Sequence, residues 1–270
     1  MAVAVPPLIQ PPLPFASGIG GPEGLAFGAD GSLYVGTEAG DIRRVAPDGT
    51  HTLVASLGDR LAGITVAKDG HVLACAFGAN RIWSVDPATG MGTVYANVQS
   101  PNFVVQTRRG QVIASSTFTG SLVDVTGGAH VVLASGFPFP NGMALRGHDL
   151  YLADTALGQV ERIPFTSPGT LGAPVPYASG LTFADGIAFD RSGNLFVVGF
   201  DTLWVVDAKT QTTQVLSNDP LLDWPSNIAF GRKSLFGRQA MYLANYGPGL
   251  GDGTTIVEVP TNHRGAKLIR

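Results

Sequence analysis

The chain has one cysteine, Cys75, so no internal disulfide can form and thiol pairs for metal or redox chemistry are excluded. Within Val72-Leu73-Ala74-Cys75-Ala76 that residue reads as a small buried hydrophobe. Charge is also sparse. Only 14% of the 270 residues are Asp, Glu, Lys or Arg, and the formal net charge is −3. That leaves no basic field for nucleic acid. No run of 18 apolar residues occurs, so no segment reads as a membrane span. Residues 1–14 lack a positive leading region and are broken by Pro6, Pro7, Pro11, Pro12 and Pro14, unlike a secretory signal. A cytoplasmic protein is expected, although loss of an export signal by trimming would leave the same sequence. Helical periodicity is missing too: apolar spacing of three and four is nowhere sustained over a dozen residues.

What is abundant is short apolar runs punctuated by turns. The chain is 44% hydrophobic and carries 36 glycines and 19 prolines. Asp48-Gly49 and Asp69-Gly70 are hairpin signals, because the turn needs positive φ. Arg109-Gly110 and Ser192-Gly193 stand in equivalent turns. Six segments then recur about every 40 residues: Pro22-Glu23-Gly24-Leu25, Leu61-Ala62-Gly63-Ile64, Pro101-Asn102-Phe103-Val104, Pro140-Asn141-Gly142-Met143, Ala184-Asp185-Gly186-Ile187 and Pro225-Ser226-Asn227-Ile228. Each opens a group of four short strands. The spacing predicts an all-β fold, a six-bladed propeller of four-stranded antiparallel blades forming a single domain over residues 1–270. The fourth strands share a motif, as in Leu133-Ala134-Ser135-Gly136 and Tyr177-Ala178-Ser179-Gly180. A further copy, Phe15-Ala16-Ser17-Gly18, precedes the first blade and is expected to complete the last one, closing the ring and hiding a sheet edge. The tail Ala266-Lys267-Leu268-Ile269 is the competitor for that slot. A closed ring needs no partner, so a monomer is expected.

In register, the six segments place Glu23, Ala62, Asn102, Asn141, Asp185 and Ser226 at one mouth of the central channel. Asn and Asp are good turn residues, but Glu has no turn chemistry, and a lone carboxylate in a narrow channel is costly unless paired. Two carboxylates and two amide oxygens suit a divalent cation with hard oxygen donors. Calcium fits best. Magnesium and manganese are alternatives, and zinc is the least suited because the column holds no His or Cys. The five histidines (His51, His71, His130, His148 and His263) fall in turns, outer strands or the tail and read as solvated.

The order Glu23, Asn102, Asn141, Asp185 around six blades resembles the gluconolactonase and senescence-marker-protein (regucalcin-like) family, which is related to diisopropylfluorophosphatase and the paraoxonase lactonases. The best local matches are Phe139-Pro140-Asn141-Gly142-Met143-Ala144 and Ala184-Asp185-Gly186-Ile187-Ala188-Phe189-Asp190. The resemblance implies a cation, usually calcium, held by Glu23, Asn141 and Asp185. It implies that Asn102 contacts metal, water or substrate, and that Asp185 is the base of lactone hydrolysis, so Asp185 and Asn102 are the catalytic candidates. The sequence departs from the family pattern where Pro22 precedes Glu23 and where Phe103 follows Asn102. Those departures favour an apolar ester or lactone over a sugar lactone as the small-molecule substrate. Substrate-facing candidates at the same mouth are Phe77, Phe118, Phe137, Asp154 with Thr155, Phe200, Trp224, Asn227 and Tyr246, with Glu38 beside them. Related propellers also condense, isomerise or cleave natural-product intermediates, and others are non-catalytic binding scaffolds. Both stand as alternatives to a hydrolase.

Overall fold

The computed structural model describes residues 5–232, 236–247 and 256–266. Among these, the only helical element is one 3-10 turn, Thr126–Gly128. Everything else regular is strand, arranged as six antiparallel sheets.

Blade 1 runs from the channel outward as Pro22–Phe27, Leu33–Thr37, Asp41–Val45 and His51–Ser56. Blade 2 is Leu61–Val66, Val72–Ala76, Arg81–Val85 and Gly92–Asn97. Blade 3 is Pro101–Gln106, Val112–Ser116, Ser121–Asp124 and Val131–Ser135. Blade 4 is Pro140–Arg146, Asp149–Asp154, Gln159–Ser167 and Val175–Ser179. It carries an extra short strand, Thr170–Leu171, which accounts for the longer interval between Asn141 and Asp185. Blade 5 is Ile187–Phe189, Leu195–Gly199, Thr202–Val206 and Thr213–Ser217, and blade 6 is Pro225–Phe230, Ala240–Asn245 and Ile256–Pro260 with Leu13–Ala16 outermost. Successive inner strands pack on one another around the ring, and blade 6 meets blade 1.

The burial pattern explains the sequence pattern. Second strands are sandwiched between neighbouring blades and, apart from Asp149 at the start of that of blade 4, buried at every position, as in Leu33–Thr37, Val72–Ala76, Val112–Ser116 and Leu195–Gly199. They therefore read as continuous apolar or small-residue runs without alternation. Outer strands are largely exposed, as in Val131–Ser135. Cys75 is fully buried in the core between blades 2 and 3, and burial pushes its thiol pKa up.

Closure follows the expected route. Leu13 pairs with Glu258 and Ala16 with Ile256, and the Phe15 ring sits edge-on to Tyr242 at 4.8 Å. Val5 is buried in the core of blades 5 and 6, and its carbonyl accepts a hydrogen bond from Gln214 Nε2 at 3.0 Å. Removing residues 1–18 deletes these contacts and uncovers the edge of Ile256–Pro260. We expect a loss of about 3 kcal/mol, read as a fall in melting temperature of roughly 6–12 °C. An unchanged calorimetric melt would refute the closure.

The end of the chain goes elsewhere. Gly265 bridges Asp190, Arg191 N donates to the Arg264 carbonyl at 2.8 Å, and Ala266 N donates to the Phe189 carbonyl at 2.9 Å. Lys267, Leu268 and Ile269 of the competing tail lie outside the described residues. This path corrects the reading of one histidine. His263 is buried, with Nδ1 2.8 Å from Asp190 Oδ2, and its ring meets Phe196 at 5.0 Å. Asp190 also accepts from Gly193 N, Asn194 N and Asn194 Nδ2. Hydrogen bonds from His263 and Asn194 outweigh burial and hold its carboxyl below the usual range. Of the other four histidines, His130 and His148 are exposed, and His51 and His71 are half-buried.

Candidate functional site

All six column residues, Glu23, Ala62, Asn102, Asn141, Asp185 and Ser226, line one cavity of about 500 Å³ at a mouth of the channel. The local cause is a repeated irregularity. Strand register slips between Pro22 and Gly24, Leu61 and Ile64, Pro101 and Phe103, Pro140 and Met143, and Pro225 and Asn227. Each slip spans the column residue, and such a bulge turns the extra side chain out of the ladder, here into the channel. Proline stands immediately before the column in four blades. It fits the first residue of an edge strand, where no ladder donor is needed.

Hydroxyls from the neighbouring strands lock the column backbone. Ser115 Oγ donates to the Asn141 carbonyl at 2.9 Å, Thr117 Oγ1 to the Pro140 carbonyl at 2.9 Å, and Ser226 Oγ to the Glu23 carbonyl at 2.8 Å. Thr155 links two column positions. Its Oγ1 accepts from Asn141 Nδ2 at 3.1 Å and donates to the Ala184 carbonyl at 2.7 Å. With its amide nitrogen so engaged, Asn141 keeps Oδ1 buried without a partner, and Glu23 Oε2 is buried and unpartnered as well.

The electrostatics are unfavourable as they stand. Burial pushes the Glu23 carboxyl up to about 7, the Glu38 charge adds to this, and Arg60 and the Ser226 hydroxyl oppose it. Burial raises Asp185 well above the usual carboxylate range. The Glu23 charge raises it further, and the Asn141 amide pulls it partly back. Two desolvated acids that oppose each other's ionisation, one with an unpartnered oxygen, beside the unpartnered Asn141 Oδ1, are oxygen donors of the kind a divalent cation takes. Among the described residues no three His, Cys, Asp or Glu side chains gather in one place, so such a site depends on the Asn102 and Asn141 amides as oxygen donors.

Above this floor the walls are aromatic. Phe77, Phe118, Phe139, Phe183, Phe200, Trp224 and Tyr246 line the cavity with Arg60 and Thr155. Arg60 Nε lies 2.9 Å from Glu38 Oε1, and Arg60 Nη2 donates to Tyr246 Oη at 2.9 Å. Tyr246 Oη in turn donates to Glu38 Oε1 at 2.5 Å. Burial and the bond to Glu38 push the Tyr246 hydroxyl up to about 12.

Three expected substrate residues lie elsewhere. Phe137 is buried in the core between blades 3 and 4. Asp154 is fully buried, and its Oδ1 accepts from Phe139 N and Leu157 N at 3.2 Å each. It holds a turn, and Thr155 beside it is the residue that reaches the cavity. Asn227 is buried one place beyond the column and lines a separate cavity of about 520 Å³ on the other side of the floor. In the other direction, sequence reasoning passed over Arg60, Phe139 and Phe183. All three stand two residues before the column, the position occupied by Trp224 in blade 6, so the register that revealed the column also marks them.

Comparison with known proteins places the fold. Residues 14–45 match the family model described as strictosidine synthase-like, N-terminal. No curated protein matches the chain. Among solved structures, a calcium-binding regucalcin from Agrobacterium tumefaciens superposes with a TM-score of 0.76 at 18% identity, covering 99% of each chain. The gluconolactonase XC5397 from Xanthomonas campestris gives 0.74 at 18% identity, over 96% of this chain and 97% of that one. The chain shares their six-bladed propeller fold. A streptogramin B lyase shares it as well, with a TM-score of 0.69 at 14% identity over 93% and 98% of the two chains. The resemblance read from the sequence thus holds for the architecture, and the architecture hosts more than one chemistry.

Proposed function

We propose that the chain is a divalent-cation-dependent hydrolase of apolar esters or lactones, with calcium the best-suited ion. One observation carries the reading: Glu23 and Asp185 share a desolvated cavity floor with the unpartnered Asn141 Oδ1 and Glu23 Oε2. Glu23, Asn141 and Asp185 would hold the ion, and Asn102 would complete the set or orient water. When bound, the cation supplies Lewis acidity at a substrate carbonyl oxygen. Asp185 takes a proton from the attacking water, whose oxygen bonds to the carbonyl carbon, and returns it to the departing alkoxide oxygen as the carbon–oxygen bond of the ester breaks. The products are an acid and an alcohol, joined in one molecule when the substrate is a lactone. The aromatic walls hold the apolar part of the substrate and thin out competing water. The gluconolactonase and regucalcin neighbours support this reading by fold.

The direct test is the metal content of the purified protein, with calorimetric calcium titration of wild type and Asn141→Ala. About one ion per chain is expected, with affinity reduced at least tenfold by the substitution. Absence of binding in wild type would remove the hydrolase reading. It would favour a cation-free, non-hydrolytic enzyme in which Glu23 exchanges protons. That second reading rests on the buried Glu23 carboxyl, raised to about 7, which can take up and release a proton near neutral pH.

Proton competition supplies an independent check. In the cation-free protein Glu23 has a folded pKa of about 7, raised from 4.5, and Asp185 is shifted in the same direction. The native state therefore binds more protons than the unfolded chain, and its stability falls as pH rises through that window. For Glu23 the loss is on the order of 3 kcal/mol. A bound cation replaces the protons, so the calcium-induced rise in melting temperature should be larger at pH 8 than at pH 5.5. Equal shifts at the two pH values would speak against the column as the calcium site.

A further inference from the structure

Three large aromatic residues at the cavity mouth have left-handed backbone: Phe183 (φ 53°), Phe200 (φ 49°) and Trp224 (φ 48°). Bulky side chains rarely accept this region, and the fold does not require bulk there. Phe183 and Trp224 stand two residues before the column. Blade 1 fills the same position with Gly21, also left-handed at φ 69°. Phe200 turns the hairpin between the second and third strands of blade 5. In the longer turns of blades 1 to 4 the left-handed residue stands last, just before the third strand, as Gly40, Asn80, Gly120 and Gly158, whereas the two-residue turn of blade 5 has it first. The chain thus places Phe183 and Trp224 where its own repeats show a small residue to be sufficient, Gly21 in blade 1 and Ser100 (φ 44°) in blade 3, and adds a left-handed Phe200 in a turn peculiar to blade 5. Strain of this kind persists where surrounding structure overrides it, and it clusters at ligand sites.

The strain does not serve core packing, because Phe183 is 49% exposed and Phe200 and Trp224 are each 40% exposed. The three rings come from two blades and form one panel. Phe183 and Phe200 stack at 5.8 Å with 28° between planes, Phe183 and Trp224 lie 5.9 Å apart at 35°, and Phe200 and Trp224 lie 5.3 Å apart at 60°. All three line the cavity above Asp185. Across the mouth, Phe118 is flanked by Phe77 at 5.2 Å and Phe139 at 6.4 Å, both edge-on.

We infer that the Phe183–Phe200–Trp224 panel is a binding subsite for a flat aromatic group, so that the substrate carries an aryl ring or an extended planar π system near the reacting carbonyl. A panel of ring faces discriminates by stacking geometry, which a saturated group of equal size cannot reproduce. The inference deepens the proposed function by naming the substrate class, but the panel itself needs neither cation nor turnover.

The test therefore uses inert probes in the presence of EDTA. Binding of 2-naphthol and of its saturated counterpart, decahydro-2-naphthol, is measured by calorimetry, and the Trp224 indole N–H resonance reports location. Wild type should bind 2-naphthol about tenfold more tightly than the saturated alcohol and shift the Trp224 signal. Phe200→Gly and Phe200→Ala should both weaken 2-naphthol about tenfold. The glycine variant should melt higher than the alanine variant by roughly 2–4 °C, the reverse of the usual order, because only alanine keeps the backbone penalty. Equal affinity for the two alcohols, no binding of 2-naphthol, or an unmoved Trp224 signal would overturn the panel. So would variants that lose stability while retaining binding. A protein that binds 2-naphthol in this way but takes up no calcium keeps the panel and loses the hydrolase reading.

Discussion

Asp185→Asn should abolish the proposed hydrolysis and, in the cation-free protein, raise the melting temperature. Asp185 sits at the desolvated floor of the mouth, and burial together with the Glu23 charge holds its carboxyl well above the usual range. Asparagine keeps the shape and an oxygen donor but removes the buried charge and the repulsion with Glu23. Without cation, relief of that repulsion should appear as a gain of roughly 2–6 °C at pH 8. With cation, the variant lacks both one anionic ligand and the proton acceptor, and kcat/KM should fall about a thousandfold or more. Opposite signs for stability and activity mark a group kept for chemistry. A variant that melts lower without cation and retains turnover would show Asp185 to be structural.

Gly142→Ala, a single methyl group away from any reacting atom, should disable the same site by moving it. A Cβ at Gly142 would lie 2.3 Å from the Asp185 carbonyl oxygen and 3.0 Å from the Gly186 Cα, and neither backbone atom can yield locally. The next step round the ring is equally tight, with a Cβ at Gly186 falling 2.6 Å from the Asn227 Cα, and a Cβ at Gly24 would meet the Ala62 carbonyl at 2.5 Å. The residue following the column is glycine in four blades because neighbouring inner strands touch there. The methyl group must push blade 5 away from blade 4 and take Asp185 away from Asn141. We expect a cost of about 3 kcal/mol, a fall of roughly 6–12 °C in melting temperature, and loss of calcium binding. Gly78→Ala is the control. Its Cβ meets nothing within 4 Å, and it should leave both quantities nearly unchanged. Equal behaviour of the two variants would mean that the blades are not in contact at the column.

The repeat made most of this legible from sequence. Blade boundaries, strand order and closure by Leu13–Ala16 follow from a period of about 40 residues and from one surplus copy of the fourth-strand motif. The column was readable because its residues share a register, and register converts directly into position around an axis. Two of the misplaced residues share a different cause. Asp154 and Asn227 each lie one residue from a true mouth position, Thr155 and Ser226. In a strand or tight turn, a shift of one residue reverses the side to which a side chain points. Asp154 in the turn and Thr155 at the cavity illustrate this. His263 failed for a tertiary reason: only the return of the chain end to blade 5 brings it to Asp190.

The sequence alone determined the six-fold repeat, the closing strand and which residue types meet at the channel mouth, because those are periodic properties carried by local pattern. Tertiary structure alone decided how that mouth works. It showed that five of the six column residues stand on bulges, that Thr155 occupies the Asn141 amide nitrogen and leaves its oxygen unpartnered, and that Phe183, Phe200 and Trp224 form one strained panel. These features depend on distances between strands remote in sequence and on backbone angles. A repeat pattern constrains those quantities only once the ring has closed.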